Sequence, residues 1–162
     1  MPEEVRLDPW GRAQIVDYDQ LIRDFGIEPF THMLPKISRP MRLMARHIIF
    51  GHRDYGRVLD AVRDRRPFGV ISGFMPSGRA HLGAKMVMEE IVWHQQMGGD
   101  ATVAIADMEA HAVRGISWEK CREWGINEYV LSLIALGLKP DRALVYFQSE
   151  NRQVQDLSLI HI

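Results

Sequence analysis

The chain has 162 residues, 46% of them hydrophobic and 25% charged, with a formal net charge of −1. That length holds one domain with a real core, and the near-neutral charge excludes a protein drawn to nucleic acid by its overall field. No apolar run approaches the roughly 20 residues of a membrane span, MPEEVRLDPW lacks the apolar stretch of a signal peptide, and a lone Cys121 excludes an internal disulfide.

These features predict a cytoplasmic protein that does not enter a membrane. The seven histidines include no H-x3-H pair, and one cysteine cannot supply a thiolate cluster. No tightly bound metal is therefore expected.

Residues 1–66 are rich in arginine and interrupted by proline. DYDQLIRDFG (17–26) predicts a short helix: Asp17 can cap it, Leu21, Ile22 and Phe25 share a face, and Gly26 stops it. Pro29, Pro35 and Pro40 then divide the chain into short pieces. Between Arg39 and Arg66 stand eight arginines, three aspartates and no lysine or glutamate. This set reads either as a solvated face laced with ion pairs or as a patch for RNA phosphates. DYGRVLDAVRDRR (54–66) predicts a helix with Val58, Leu59 and Val62 facing inward.

From Pro67 onward strand and helix alternate. PFGVISG (67–73) is a short apolar run of the kind a buried parallel strand makes. HLGAKMVMEEIVWHQQMGG (81–99) predicts a helix ended by its glycine pair. DATVAIAD (100–107) is a second buried strand. SWEKCREWGINEYVLSLIALG (117–137) predicts one helix, capped by Ser117, striped by Ile126, Val130, Leu133 and Ile134, and stopped by Gly137. RALVYFQS (142–149) is a third strand.

The predicted fold is α/β: the first βαβαβ half of a doubly wound parallel sheet, preceded by a mainly helical segment. The expected domains are an N-terminal extension over 1–66, the half-sheet over 67–156, and a separate tail over 157–162. Ligands of such sheets bind beyond the carboxyl ends of the strands. Gly73 to His81, Asp107 to Arg114, and Gln148 to Glu150 are therefore expected to form one cluster.

The loop GFMPSGRAHLGAK (73–85) has glycines that permit a tight turn and a proline that stiffens it. A helix starting near His81 would turn its free N–H groups toward an anion, and His81 could donate to a phosphate oxygen. Gly83 would leave space for a nucleoside. An ordinary strand-to-helix turn with a surface histidine has the same composition. The second loop, IADMEAHAVRG (105–115), carries Asp107, Glu109, His111 and Arg114, whose carboxylates could bind an amine, an indole or a hydroxyl donor. Capping by Asp107 and plain surface polarity is the competing reading there.

The order PSGxxHLG, VAIADMEAHAVRG, ALGLKP and YFQSEN resembles the class I aminoacyl-tRNA synthetases of the tyrosine/tryptophan subgroup. LDPWG (7–11), DYDQLIRDFGIEPF (17–30) and IIFGHRDYGRVLDAV (48–62) are similar to the archaeal tryptophanyl members. The resemblance covers about Leu7 to Asp156 and implies a Rossmann-like catalytic domain. It also implies ATP-dependent activation of tryptophan and transfer to its tRNA. The implied partners are tryptophan, ATP with Mg2+ and tRNA(Trp), with a homodimer for the full-length protein.

On that resemblance His81 would hydrogen-bond the ATP phosphates as charge develops. Gly73, Phe74, Pro76, Ser77 and Gly78 would shape the ATP loop, and Gly83 would lie under the adenosine. Ile71, Ala104, Asp107, Glu109 and Gln148 would line the amino-acid pocket. The stretch around Trp10 would fold over the site mouth or simply pack. Two features depart from the family. Ala84 stands where a second histidine is usual, and losing one such donor costs about 3–4 kcal/mol in the transition state. The family's lysine–serine signature has no match, and SLIHI (158–162) differs from the family, so a truncated frame that is inactive alone is expected. A tyrosine–tRNA ligase and a non-catalytic RNA-binding paralogue are the alternatives.

Overall fold

The computed structural model describes Ile22 and residues 26–155. Most of the helix expected over 17–26, the segment around Trp10 and the tail over 157–162 lie outside the described residues. The chain divides into two compact units, Met1–Leu59 and Asp60–Ile162.

In the first unit Gly26 takes φ 57°, and the Ile27 N–H donates to the Ile22 carbonyl at 3.1 Å. This is the closure that a left-handed glycine makes at a helix end. Strand β1 (Glu28–Pro29) pairs antiparallel with β2 (Gly51–His52). The prolines keep the intervening chain short-ranged. It forms 3-10 turns at Phe30–His32 and Leu34–Lys36 and a single helical turn, α1 (Arg42–Ala45). Phe30, Met33, Ile37, Met41, Leu43 and Met44 are buried. The Phe30 ring meets His52 edge-on at 6.0 Å and Tyr55 at 5.3 Å.

Helix α2 (Tyr55–Arg63) follows, with Ala61 buried and Val58, Leu59 and Val62 half-buried. Arg63 lies 2.9 Å from both Asp60 and Asp64, and Arg66 lies 3.5 Å from Asp64. This end of the arginine set is thus an exposed ion-paired surface, whose pairs are screened by solvent and contribute little to stability.

The second unit holds β3 (Gly69–Phe74), α3 (Leu82–Gln96), β4 (Asp100–Ile105), α4 (Asp107–Arg114), α5 (Trp118–Trp124), α6 (Leu131–Ala135) and β5 (Ala143–Phe147). The strands lie in the order β3-β4-β5, all parallel. This is the predicted βαβαβ half-sheet. Val103, Ile105, Met88, Ile91, Leu133 and Tyr129 form the centre of its core. Gln95 is buried beneath the turn before β5. Its amide nitrogen donates to the carbonyls of Lys139 and Arg142, both at 2.9 Å, and its oxygen accepts the Lys139 N–H at 2.8 Å. All three bonds satisfy a polar group that would otherwise be costly to bury.

Three expectations need correction. First, the stretch 105–115 is not a loop: Asp107–Arg114 form α4 directly after β4. Asp107 and Glu109 in its first turn suit the positive helix end, and Gly115 at φ 64° stops it. Second, the 117–137 helix is not uniform. A π turn, Gly125–Val130, separates α5 from α6. The buried row is Cys121, Gly125, Tyr129 and Leu133, whereas Ile126 and Ile134 are exposed. Positions four apart overshoot one α-helical turn, and the wider π turn returns them to the same side. Third, the strands are not buried on both faces. Ile71 is 78% exposed and Leu144 is 56% exposed.

Candidate active site

The carboxyl ends of the three strands carry the polar groups. After β3 the ladder runs on for one bond, from the Ala106 N–H to the Phe74 carbonyl at 2.8 Å. The chain then turns sharply, with the Ser77 N–H on the Met75 carbonyl at 2.8 Å and Pro76 fully buried. Proline's fixed φ makes this buried corner a rigid start for the loop. Gly78 has no heavy atom within 4 Å of where a side chain would begin. Gly73 has a different reason to be small: a Cβ there would lie 3.3 Å from the Ala104 carbonyl oxygen on the neighbouring strand.

His81 is the N-cap of α3. Its Nδ1 accepts the Gly83 N–H at 3.1 Å. A neutral imidazole whose Nδ1 accepts must carry its proton on Nε2. The exposed His81 therefore presents an N–H donor beside the positive end of a 15-residue helix. A Cβ on Gly83 would sit 3.0 Å from His81 Cε1 and 3.2 Å from Nδ1, so in this structure Gly83 makes room for the capping ring. Ala84 is half-buried and packs against the core. Its methyl offers no donor to the loop. A cavity of about 540 Å³ opens alongside, lined by Ala80, His81, Leu82, Lys85, Met88, Ser132, Ala135 and Leu136.

The second group forms where β4 and β5 end. Asp107 is buried, and its carboxylate accepts the Ser149 N–H at 3.0 Å and the Ser149 hydroxyl. It thereby fastens the start of α4 to the 3-10 turn Gln148–Glu150. Gln148 Nε2 donates to Glu109 Oε1 at 3.4 Å, while Gln148 Oε1 is buried with no hydrogen-bond partner. Asp107, Glu109 and Gln148 thus converge as the topology requires. Ile71 and Ala104 lie farther back along β3 and β4, on the open face of the sheet: Ile71 pairs with Thr102, and Ala104 with Gly73 and Tyr146.

Two residues of this region give no signal in the sequence. Ser149 looks like an ordinary turn residue. Glu128 lies mid-helix, 48 positions from the loop, yet its Oε2 accepts the Ala80 N–H at 3.3 Å and its Oε1 lies 3.9 Å from Arg79 Nε. Beside it, burial and then the Glu128 charge push the Tyr129 phenol up. Burial, followed by the Asp107 charge, pushes the Cys121 thiol up, so this cysteine is a poor nucleophile. His111 donates from Nδ1 to the Ile116 carbonyl at 2.7 Å and stacks on Trp118 at 4.2 Å, closing the corner between α4 and α5. Among the described residues no group of three or more His, Cys, Asp or Glu side chains could hold a metal ion.

Comparison with known proteins gives this geometry a context. Residues 63–161 match the family model of the class I tRNA synthetases (W and Y). The tryptophan–tRNA ligase of Methanosarcina acetivorans is 57% identical over 96% of this chain and 35% of its own length. That of Archaeoglobus fulgidus is 54% identical over 95% of this chain and 36% of its own. The crystal structure of the Aeropyrum pernix tryptophanyl-tRNA synthetase superposes with a TM-score of 0.78 at 43% identity, covering 94% of this chain and 44% of that one. The chain thus spans about a third of the length of the curated relatives it matches. With the half-sheet, the histidine-capped helix and the matched residues 63–161 together, the chain belongs to the class I tRNA synthetases of the W and Y group.

Proposed function

We propose that the chain supplies the ATP-binding half of a tryptophan–tRNA ligase. In the first step a tryptophan carboxylate oxygen attacks the α-phosphorus of ATP, and the bond to pyrophosphate breaks. In the second, a ribose hydroxyl at the tRNA 3′ end attacks the adenylate carbonyl and AMP leaves. The relatives named above, all tryptophan–tRNA ligases or synthetases, support this choice of amino acid over tyrosine.

The observation that carries the reading is the His81 cap. The ring is held by Gly83 so that Nε2–H projects at a helix N-terminus directly after a parallel strand. Such a donor costs no reorganisation as negative charge grows on the phosphates. Open space around Gly78 leaves room for a phosphate beside the His81 cap, while the adjoining cavity is mainly apolar and its Lys85 is ion-paired with Glu89. Mg2+ would enter with ATP as part of that substrate. Glu109 and Gln148 Oε1 are the acceptors for the tryptophan ammonium or indole N–H. Asp107, already committed to Ser149, shapes that pocket from behind. Full-length protein would act as a cytoplasmic homodimer.

The test is titration of the chain with MgATP by calorimetry, followed by tryptophan-dependent ATP–pyrophosphate exchange. Binding is expected, with His81→Ala weakening it about tenfold or more. Exchange is expected to be absent from these 162 residues, which carry the histidine signature without the lysine–serine one. No MgATP binding would refute the nucleotide assignment. Ala84 favours a second reading, a paralogue that binds RNA without activating an amino acid. That reading requires tRNA binding at physiological salt with no response to MgATP.

A further inference from the structure

Loop 75–80 joins β3 to α3, and a loop that presents N–H groups to an anion must be held in one shape to do so. Its start is fixed by Phe74, whose ring packs against Tyr129 at 5.7 Å. Its end is fixed by the Ala80 N–H, which donates to Glu128 Oε2 at 3.3 Å, with Arg79 Nε at 3.9 Å from Oε1. Tyr129 and Glu128 are neighbours on the π turn Gly125–Val130. One irregular turn of helix therefore grips both ends of the loop. The turn is itself held: the Ser132 hydroxyl donates to the Glu128 carbonyl. π turns recur where a helix must aim a side chain for function.

From this arrangement we infer that Glu128 is a positioning residue for the anion-binding loop, acting through the Ala80 N–H and balanced by Arg79. The inference deepens the ATP reading above and rests on it. Glu128 carries the charge of the ligand it prepares for. A carboxylate close to a bound triphosphate repels it, and Arg79 offsets that repulsion. Hydrogen bonding and charge thus oppose each other at one residue, and substitutions separate them. Glutamine keeps an acceptor for Ala80 and drops the charge. Alanine drops both.

Two measurements on the whole chain test this. Amide hydrogen exchange at Ala80 without nucleotide reads the hydrogen bond alone. We expect Glu128→Ala to speed it about tenfold or more, and Glu128→Gln to leave it within about threefold of the parent. MgATP titration reads the balance. Glu128→Ala should weaken binding about tenfold, Glu128→Gln should bind as tightly as the parent or more tightly, and Arg79→Ala should weaken binding while leaving Ala80 exchange unchanged. Unaltered Ala80 exchange in Glu128→Ala overturns the inference, as does equal weakening by alanine and glutamine. If Glu128→Ala does not fold, Glu128→Gln and Arg79→Ala decide between the same outcomes. A parent chain that ignores MgATP refutes the nucleotide reading, while Ala80 exchange still decides the role of Glu128.

Discussion

The two faces of the β3-β4-β5 sheet carry side chains of similar character and meet different surroundings. On the inner face Val103 and Ile105 are completely buried beneath α3 and the α5–α6 helix. On the outer face the row Ile71, Thr102 and Leu144 crosses the same strands in register, with Ile71 and Leu144 largely exposed. Strand parity assigns each residue to a face. It does not say what covers that face. Parallel sheets commonly bury both sides, so an open apolar row of this kind reads as a docking surface or an aggregation hazard.

Substitutions on the two faces should therefore diverge. Leu133, fully buried under the inner face, should lose about 2–5 kcal/mol on conversion to alanine, measured by urea unfolding. A loss under 1 kcal/mol would mean that the inner face is loosely packed. Gly125→Ala should come next. Its Cβ would fall 2.5 Å from Phe147 Cε1 and 3.0 Å from Ile105 Cγ2, and overpacking of this kind costs about 1–3 kcal/mol. At the sheet's carboxyl end Ser149→Ala should cost about 1–3 kcal/mol by removing a hydroxyl from the buried Asp107 carboxylate. Leu144→Lys, on the outer face, should change stability by less than about 0.5 kcal/mol and reduce aggregation in light scattering. A large loss there would show that the outer face is covered in solution.

Acid sensitivity offers a further contrast within α3. Burial holds the His94 imidazole below its usual value, against a smaller opposing effect of the bond to the Glu90 carbonyl. The unfolded chain then takes up this proton first as pH falls. The stability that neutral His94 contributes is complete above about pH 6.5 and is lost as pH falls from there through the folded value. Burial raises the Glu90 carboxyl, which acts in the opposite sense: its contribution is complete below the ordinary carboxylate value of 4.5 and is lost as pH rises through the folded value. Unfolding free energy of the parent should decline between pH 7 and pH 5.5, and His94→Gln should flatten that slope. An unchanged slope in His94→Gln would assign the acid sensitivity elsewhere.

Much of this was legible beforehand because it depends on local chemistry. Glycine and proline marked the ends of α3 and α6, where Gly98 and Gly137 take φ 106° and 105°. Ser117 was readable as a cap, and it accepts the Lys120 N–H at 3.3 Å. The apolar runs at 67–73, 100–107 and 142–149 located the strands to within a few residues. The acidic run after β4 reads in the sequence as a loop and folds as a helix, because Asp and Glu favour a surface loop and a helix's first turn alike.

What only the tertiary structure decided involves atoms that sequence distance separates. The π turn between α5 and α6 has no composition of its own, and its first residue, Gly125, sits against Phe147 and Ile105, far away in sequence. Glu128 reaches Ala80, and Ser149 reaches Asp107, across more than 40 residues. The sequence by itself determined the α/β order of elements, the glycine- and proline-marked loop after β3 and His81 at the head of its helix, since periodicity, capping and turn preferences act within a few residues. Which carboxylates hold that loop and which face of the sheet stays open were set by packing, because a side chain's partners are chosen by where the whole fold carries them.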